Sequence, residues 1–191
     1  MRKFWTGLCF GAAMAAIAQA GVLHDEAVDG DITGDRLNPA GFSLSLGSNI
    51  IRATSNTGDR EYVALTIPAG RTLDAVRLTA YAGEDEVAFI AVQSGGVITE
   101  DPGAPDVTNL LGWTHFGPGV GLGPVSDLLP ELAAGPGAIG FAPPLAAGVY
   151  AFWIQQTGPS LVTYELDFVT TPEPSAGLTL MALAIAFRRR P

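Results

Sequence analysis

The sequence predicts an all-β fold, a β-sandwich or jelly roll of about seven to nine antiparallel strands, flanked by an N-terminal signal helix and a C-terminal hydrophobic helix. Three observations predict it. Short runs rich in β-branched and aromatic residues alternate apolar with polar at a period of two. Clusters of Gly, Pro, Asn, Asp and Ser punctuate those runs at short intervals. No stretch between the termini has the 3.6-residue apolar period of an amphipathic helix. The middle of the chain, roughly 150 residues, is long enough to bury a core without covalent staples.

The first element is a leader. Met1–Ala20 opens with Arg2 and Lys3, runs apolar from Phe4 through Ile17 and closes with Ala18-Gln19-Ala20. A basic start, an apolar middle and a small-x-small end are the three regions of a secretory signal peptide, with Ala18 and Ala20 at the cleavage positions. The one cysteine, Cys9, lies inside this leader behind the bulky Leu8 and reads as filler of the apolar region. The segment from residue 21 onward then has no disulfide, thiol nucleophile or thiolate metal site.

The strands follow, in one domain spanning 21–171. Phe42-Ser43-Leu44-Ser45-Leu46 alternates strictly, and Gly47-Ser48 turns the chain into Asn49–Thr54. After the turn-rich Ser55–Asp59 come Tyr62–Ile67, ended by Pro68-Ala69-Gly70, and the longer run Thr72–Ala82, interrupted by a bulge. Gly83–Glu86 is an acidic turn before Val87–Val92. Pro102 to Pro144 is rich in glycine and proline and too long for an ordinary connection. Within it Leu110–Phe116 and Asp127–Ala133 read as local anchors, the second as a turn or two of helix. Val149–Gln156 and Leu161–Val169 complete the set. In the last, Val162, Tyr164, Leu166 and Phe168 alternate with Thr163, Glu165, Asp167 and Val169, so one face is buried and the other wet.

The final element, 172–191, has three parts: Pro172-Glu173-Pro174-Ser175, the apolar run Ala176–Phe187, and Arg188-Arg189-Arg190-Pro191. The prolines make a rigid, non-helical joint, and the terminal arginines favour retention on the cytoplasmic side. Three unlike features in this order resemble the PEP-CTERM sorting signal of Gram-negative bacteria, through Pro172, Glu173 and Pro174 and through Arg188, Arg189 and Arg190. That resemblance implies cleavage by an integral-membrane exosortase after passage through the Sec translocon. The apolar run departs from a full span, since its length is roughly 18 Å as a helix against a bilayer core of ~30 Å. It fits transient contact with the inner membrane better than lasting anchorage.

Part of the middle also has a likeness. Asp59-Arg60-Glu61-Tyr62 and Leu65-Thr66-Ile67-Pro68-Ala69-Gly70-Arg71-Thr72-Leu73 resemble the central strands of bacterial pre-peptidase C-terminal (PPC) domains, over about Gly30–Ala82. Those are secreted β-sandwiches, usually non-catalytic companions of enzymes that contact matrix or polysaccharide. Leu111–Phe116 and Tyr150–Gln155 resemble segments of domains that accompany PEP-CTERM tails. The resemblance implies a fold and a compartment and supplies no catalytic residue.

Charge narrows the partners. Between Gly21 and Thr171 five arginines and no lysine stand against eighteen acids, leaving −13. Such a surface repels nucleic acid and anionic lipid and favours divalent cations. Catalytic constellations are not apparent. The two histidines, His24 and His115, lie far apart in sequence, with no His-x-x-His or Gly-x-Ser-x-Gly spacing. Gly117–Gly123 is glycine-rich but matches neither phosphate-loop pattern and has prolines around it. Asp29-Gly30-Asp31-Ile32-Thr33-Gly34-Asp35 places oxygens at alternate positions and glycine at the sixth, as in a calcium loop, making Asp29, Asp31, Thr33 and Asp35 candidate ligands. Ala40 stands where the twelfth-position glutamate belongs, and Asp-Gly steps are also ordinary turn chemistry. Trp113 and His115 are candidates for sugar stacking, whereas Trp153 in its apolar strand reads as core.

These observations describe a non-enzymatic exported surface or matrix protein of a Gram-negative bacterium, processed through an exosortase-type system and associated with exopolysaccharide or biofilm. A carbohydrate- or calcium-binding secreted module is the alternative, and a secreted hydrolase built on paired acids a third. No cofactor other than calcium is expected.

Overall fold

The structure, a computed structural model, describes residues 21–104 and 106–173. Nine strands account for most of it: β1 (Gly21–Asp25), β2 (Ala40–Ser43), β3 (Asn49–Ser55), β4 (Arg60–Ile67), β5 (Arg71–Gly83), β6 (Ala88–Ser94), β7 (Gly112–Phe116), β8 (Gly148–Gln156) and β9 (Val162–Pro172). Two short helices, α1 (Glu26–Asp29) and α2 (Leu129–Ala133), and two 3-10 turns complete the elements. The strands form a four-stranded sheet in the order β1-β3-β9-β5 and a five-stranded sheet in the order β2-β4-β8-β6-β7.

The period-two pattern explains how the sheets meet. Ile51 and Ala53 of β3, Leu73, Val76 and Leu78 of β5, and Tyr164, Leu166 and Phe168 of β9 turn inward from the smaller sheet. Val63, Leu65 and Ile67 of β4, Ile90 and Val92 of β6, and Phe152 and Ile154 of β8 meet them from the larger one. Phe152 and Phe168 pack edge to face with ring centres 5.2 Å apart. Each such side chain contributes ~1.5–3 kcal/mol by leaving water, so this shared layer dominates the stability. Leu128, Leu129 and Leu132, at and within α2, join the same core. Asp127 sets that helix in place, because its Oδ1 accepts from the N–H groups of Leu129 and of Val76 on β5.

Two edges depart from the antiparallel expectation: β1 runs parallel to β3 and β2 parallel to β4. The cause is the route of the chain. Between β1 and β3 it visits the opposite sheet as β2, and between β2 and β4 it visits the first sheet as β3. Each return is thus a crossover and not a hairpin, which brings strands back in the same direction. The bulge expected in the long fifth strand is present twice, as register shifts between Leu73 and Ala75 and between Leu78 and Ala80.

Both ends of the described chain emerge at one end of the molecule. The Gly21 N–H donates to Ser48 O, Gly47 exchanges hydrogen bonds with Thr170, and Glu173 N–H donates to Gly70 O. Pro172 is still in register with Arg71 at the tip of β9, a position that needs no ladder donor. Turns 56–59, 84–87 and 157–161 lie at the opposite end, where Thr57 reaches Gly158 O and Thr157 reaches Val87 O. The expected signal helix with Ala18 and Ala20, and the apolar tail with Pro174, Arg188, Arg189 and Arg190, lie outside the described residues. Among the described residues no helix is long and apolar enough to cross a membrane.

Candidate functional site

The outer face of the five-stranded sheet carries an aromatic surface, and strand register explains its layout. Tyr62, Trp153, Ala91 and Trp113 stand side by side across β4, β8, β6 and β7, and Arg60, Gln155, Phe89 and His115 form the next row. Ala91 is the one small residue in the first row. Phe89 leans diagonally over the space it leaves, 5.0 Å from Trp153, 6.1 Å from Trp113 and 5.8 Å from His115 between ring centres. Trp113 and His115 meet edge to face at 5.7 Å.

Part of this surface is roofed. Ile98, Leu110 and Val107, from the connection between β6 and β7, pack on Tyr62, Ala91, Ala151 and Trp153 as a second, smaller core. The roof stops short of the β7 edge. It leaves a cleft of about 270 Å³ walled by Phe89, Trp113, His115 and Trp153, with Gln155 and Thr157 as its polar rim. On the other side of Trp113 and His115 lies a broader depression of about 410 Å³, reaching Glu131 and Pro136. Trp113 and His115 are therefore a ridge between two concavities. Trp153 is buried, as its apolar strand implies, while Trp113 is half-buried and His115 is exposed.

The polar tips of the aromatics are held. Trp113 Nε1–H donates to Pro136 O at 3.0 Å, and Trp153 Nε1–H to Gln155 Oε1 at 3.1 Å. Arg60 Nε–H donates to the same Gln155 oxygen at 3.1 Å. These bonds fix ring orientation, which lowers the entropy lost when a flat ligand stacks on them. Gly135 lets the 134–140 loop reach Trp113. A Cβ at that position would stand 2.6 Å from Trp113 O and 2.7 Å from Trp113 N.

A second polar feature lies near the end of the molecule remote from the termini. The carboxylate oxygens of Glu26, Asp31 and Glu61 lie within 4.8 Å of one another. Of the candidate calcium loop, Asp31 is thus the member that joins a cluster. Asp29 Oδ2 accepts from Asp25 N–H, Thr33 Oγ1 from Asp35 N–H and Asp35 Oδ1 from Leu37 N–H, each a local turn contact. Glu26 Oε1 accepts from Ile32 N–H, and Oε2 from the N–H and hydroxyl of Thr54. Glu61 is fully buried, and neither of its oxygens has a hydrogen-bond partner. Its carboxyl is pushed up to about 9, first by burial and then by the charges of Asp59, Glu26 and Asp31. The Tyr164 hydroxyl is buried without a partner and is raised by burial and by Glu61.

Glu26 and Glu61 were not among the sequence-derived candidates. For Glu61 a signal existed: it shares the parity of Val63, Leu65 and Ile67 in β4 and so occupies a core-facing position. For Glu26 there was none, since its role depends on how α1 docks on β3.

No family model matches the chain, and no curated protein matches it. Among solved structures it is similar to PliG of Aeromonas hydrophila, a periplasmic inhibitor of g-type lysozyme. The identity is 14% and the TM-score 0.34, over 72% of this chain and 100% of that one. A likeness this slight carries no argument about activity.

Proposed function

We propose that this chain is a non-enzymatic exported module of the cell surface or extracellular matrix, and that it binds carbohydrate through the ridge formed by Trp113 and His115. The observation that carries this reading is the aromatic cleft at the β7 edge, where rings are presented in fixed orientation beside polar groups. Sugar rings offer apolar C–H faces for stacking and hydroxyls for hydrogen bonding, and a half-roofed aromatic wall with a Gln/Thr rim suits both. The leader and the three-part tail supply the route: Sec export, transient inner-membrane contact, then exosortase processing and release to the exopolysaccharide. The acidic surface, at −13 between residues 21 and 171, keeps such a module soluble and directs it towards neutral or cation-bridged glycans.

The test is binding to a glycan array and to the host's own matrix polysaccharide by affinity electrophoresis. Wild-type protein is retarded, Trp113→Ala loses at least tenfold in affinity, and His115→Ala loses less. Loss of a stacked ring removes about 0.5–1.5 kcal/mol in addition to the apolar area the ring buries, and the two together reach tenfold. Equal retardation of wild type and Trp113→Ala would remove the cleft from the reading.

A further inference from the structure

We propose that Glu26, Asp31 and Glu61 form a binding site for a divalent cation of calcium's size, which fastens the N-terminal segment to the sandwich.

Three observations converge on it. The first is the placement of Glu61. A glutamate in a core-facing strand position, fully buried, with neither oxygen in a well-formed hydrogen bond and only the Tyr164 hydroxyl beside it, is a costly arrangement unless something compensates it. The second is convergence. Oxygens from three separate elements, α1, the loop after it and β4, meet within 4.8 Å. Opposed ligands around calcium, each at about 2.4 Å, stand up to about 5 Å apart, whereas magnesium draws its ligands into a tighter octahedron. The third is the absence of a protein cation. Among the described residues, the salt bridges join Arg52 to Asp25 and Glu165, and His24 to Asp29, and none reaches the cluster. No arginine or histidine side chain among them is paired with Glu26, Asp31 or Glu61, so no protein cation occupies the place between their oxygens.

The hydrogen bonds of Glu26 leave room for this role. A carboxylate has about four lone-pair directions, and three are taken, by Ile32 N–H, Thr54 N–H and Thr54 Oγ1. Those bonds aim the group, as the outer partners of a metal ligand do. Glu61 supplies the unsatisfied oxygens from inside, and exposed Asp31 closes the site from the solvent side. Backbone carbonyls and water would complete the six to eight oxygens that calcium takes.

The cation site and the aromatic cleft use no residue in common, so each can fail without the other. The experiment uses protein purified from the producing cells, stripped with EDTA and titrated with CaCl2 by calorimetry, with thermal unfolding followed in parallel. One site per chain is expected, with a higher unfolding temperature in calcium and at least tenfold weaker binding of MgCl2. Glu61→Gln and Asp31→Asn should each weaken calcium binding at least tenfold, while Trp113→Ala binds calcium as wild type does. Asp31 is exposed, so Asp31→Asn keeps the question answerable if Glu61→Gln fails to fold. No heat and no thermal shift in wild type at 10-millimolar-scale calcium would overturn the proposal. Undiminished binding by Asp31→Asn and by folded Glu61→Gln would do the same.

Discussion

Glu61 is the residue at which core packing and charge conflict most directly. Its backbone is an ordinary rung of β4, paired with Ile154, yet its side chain carries an acid to the end of the inter-sheet core. Asp59, Glu26 and Asp31 lie close enough to act on it, as does Tyr164 of β9. With its carboxyl at about 9 against an ordinary 4.5, the folded state holds this proton more tightly than the unfolded chain does. The group's contribution to stability is therefore complete below about pH 4.5 and is lost progressively as pH rises through about 9. In EDTA, the denaturation midpoint of the wild type should fall between pH 6 and pH 9, and that of Glu61→Gln should fall much less. Urea titrations at several pH values measure both slopes, and parallel slopes would show that Glu61 ionises without consequence.

At the scale of elements, β7 and the loops beside it decide whether the cleft exists. β7 is an edge strand bonded on one side to β6, so its outward residues are held in place by the 134–140 loop. That contact depends on Gly135 having no side chain. Gly135→Ala should displace Trp113, cost about 1–3 kcal/mol as an overpacked contact and weaken glycan binding together with stability. The tryptophan emission of Gly135→Ala, compared with that of Trp113→Phe to separate Trp113 from Trp153, and the unfolding midpoint report the two effects.

The same scale shows what sequence reasoning reaches. Alternation placed the cores of β3, β4, β5, β6, β8 and β9 to within a residue or three, because each has one face in oil and one in water or under a roof. It read Leu110–Phe116 as an anchor where β7 lies, because Gly112 and the loose surroundings break the pattern. It passed over β1, whose Gly-Val-Leu-His-Asp run has no clear wet and dry faces. The parallel edges were beyond it, since strand direction follows from the path between sheets and not from local periodicity. Trp113 and His115 stood out as aromatic and polar neighbours in a glycine-rich segment. The acid cluster did not, because Glu26, Asp31 and Glu61 are brought together only by tertiary docking.

For the whole molecule, the polarity of the sandwich matters most. Both described termini leave from one end, and the acid cluster lies towards the other, with the Gln155–Phe89–His115 row of the cleft on the same side. A chain attached by its tail would present those features away from the attachment. If the tail is processed as proposed, mass spectrometry of secreted protein should find a C-terminus between Pro172 and Ser175 and an N-terminus at Gly21. A retained Arg188–Pro191 end would instead place the tail in the membrane or against the domain.

The position of β9 has a mechanical consequence. It is an interior strand, bonded to β3 on one side and β5 on the other, and its last residues lead straight into the tail. Tension applied there runs along the strand axis, so the ladders to both neighbours are loaded in shear and resist together. Rungs pulled open one at a time, as in a hairpin drawn from its tip, would yield at far lower force. A pull on the C-terminal end of β9 is thereby shared by two ladders at once, those to β3 and to β5.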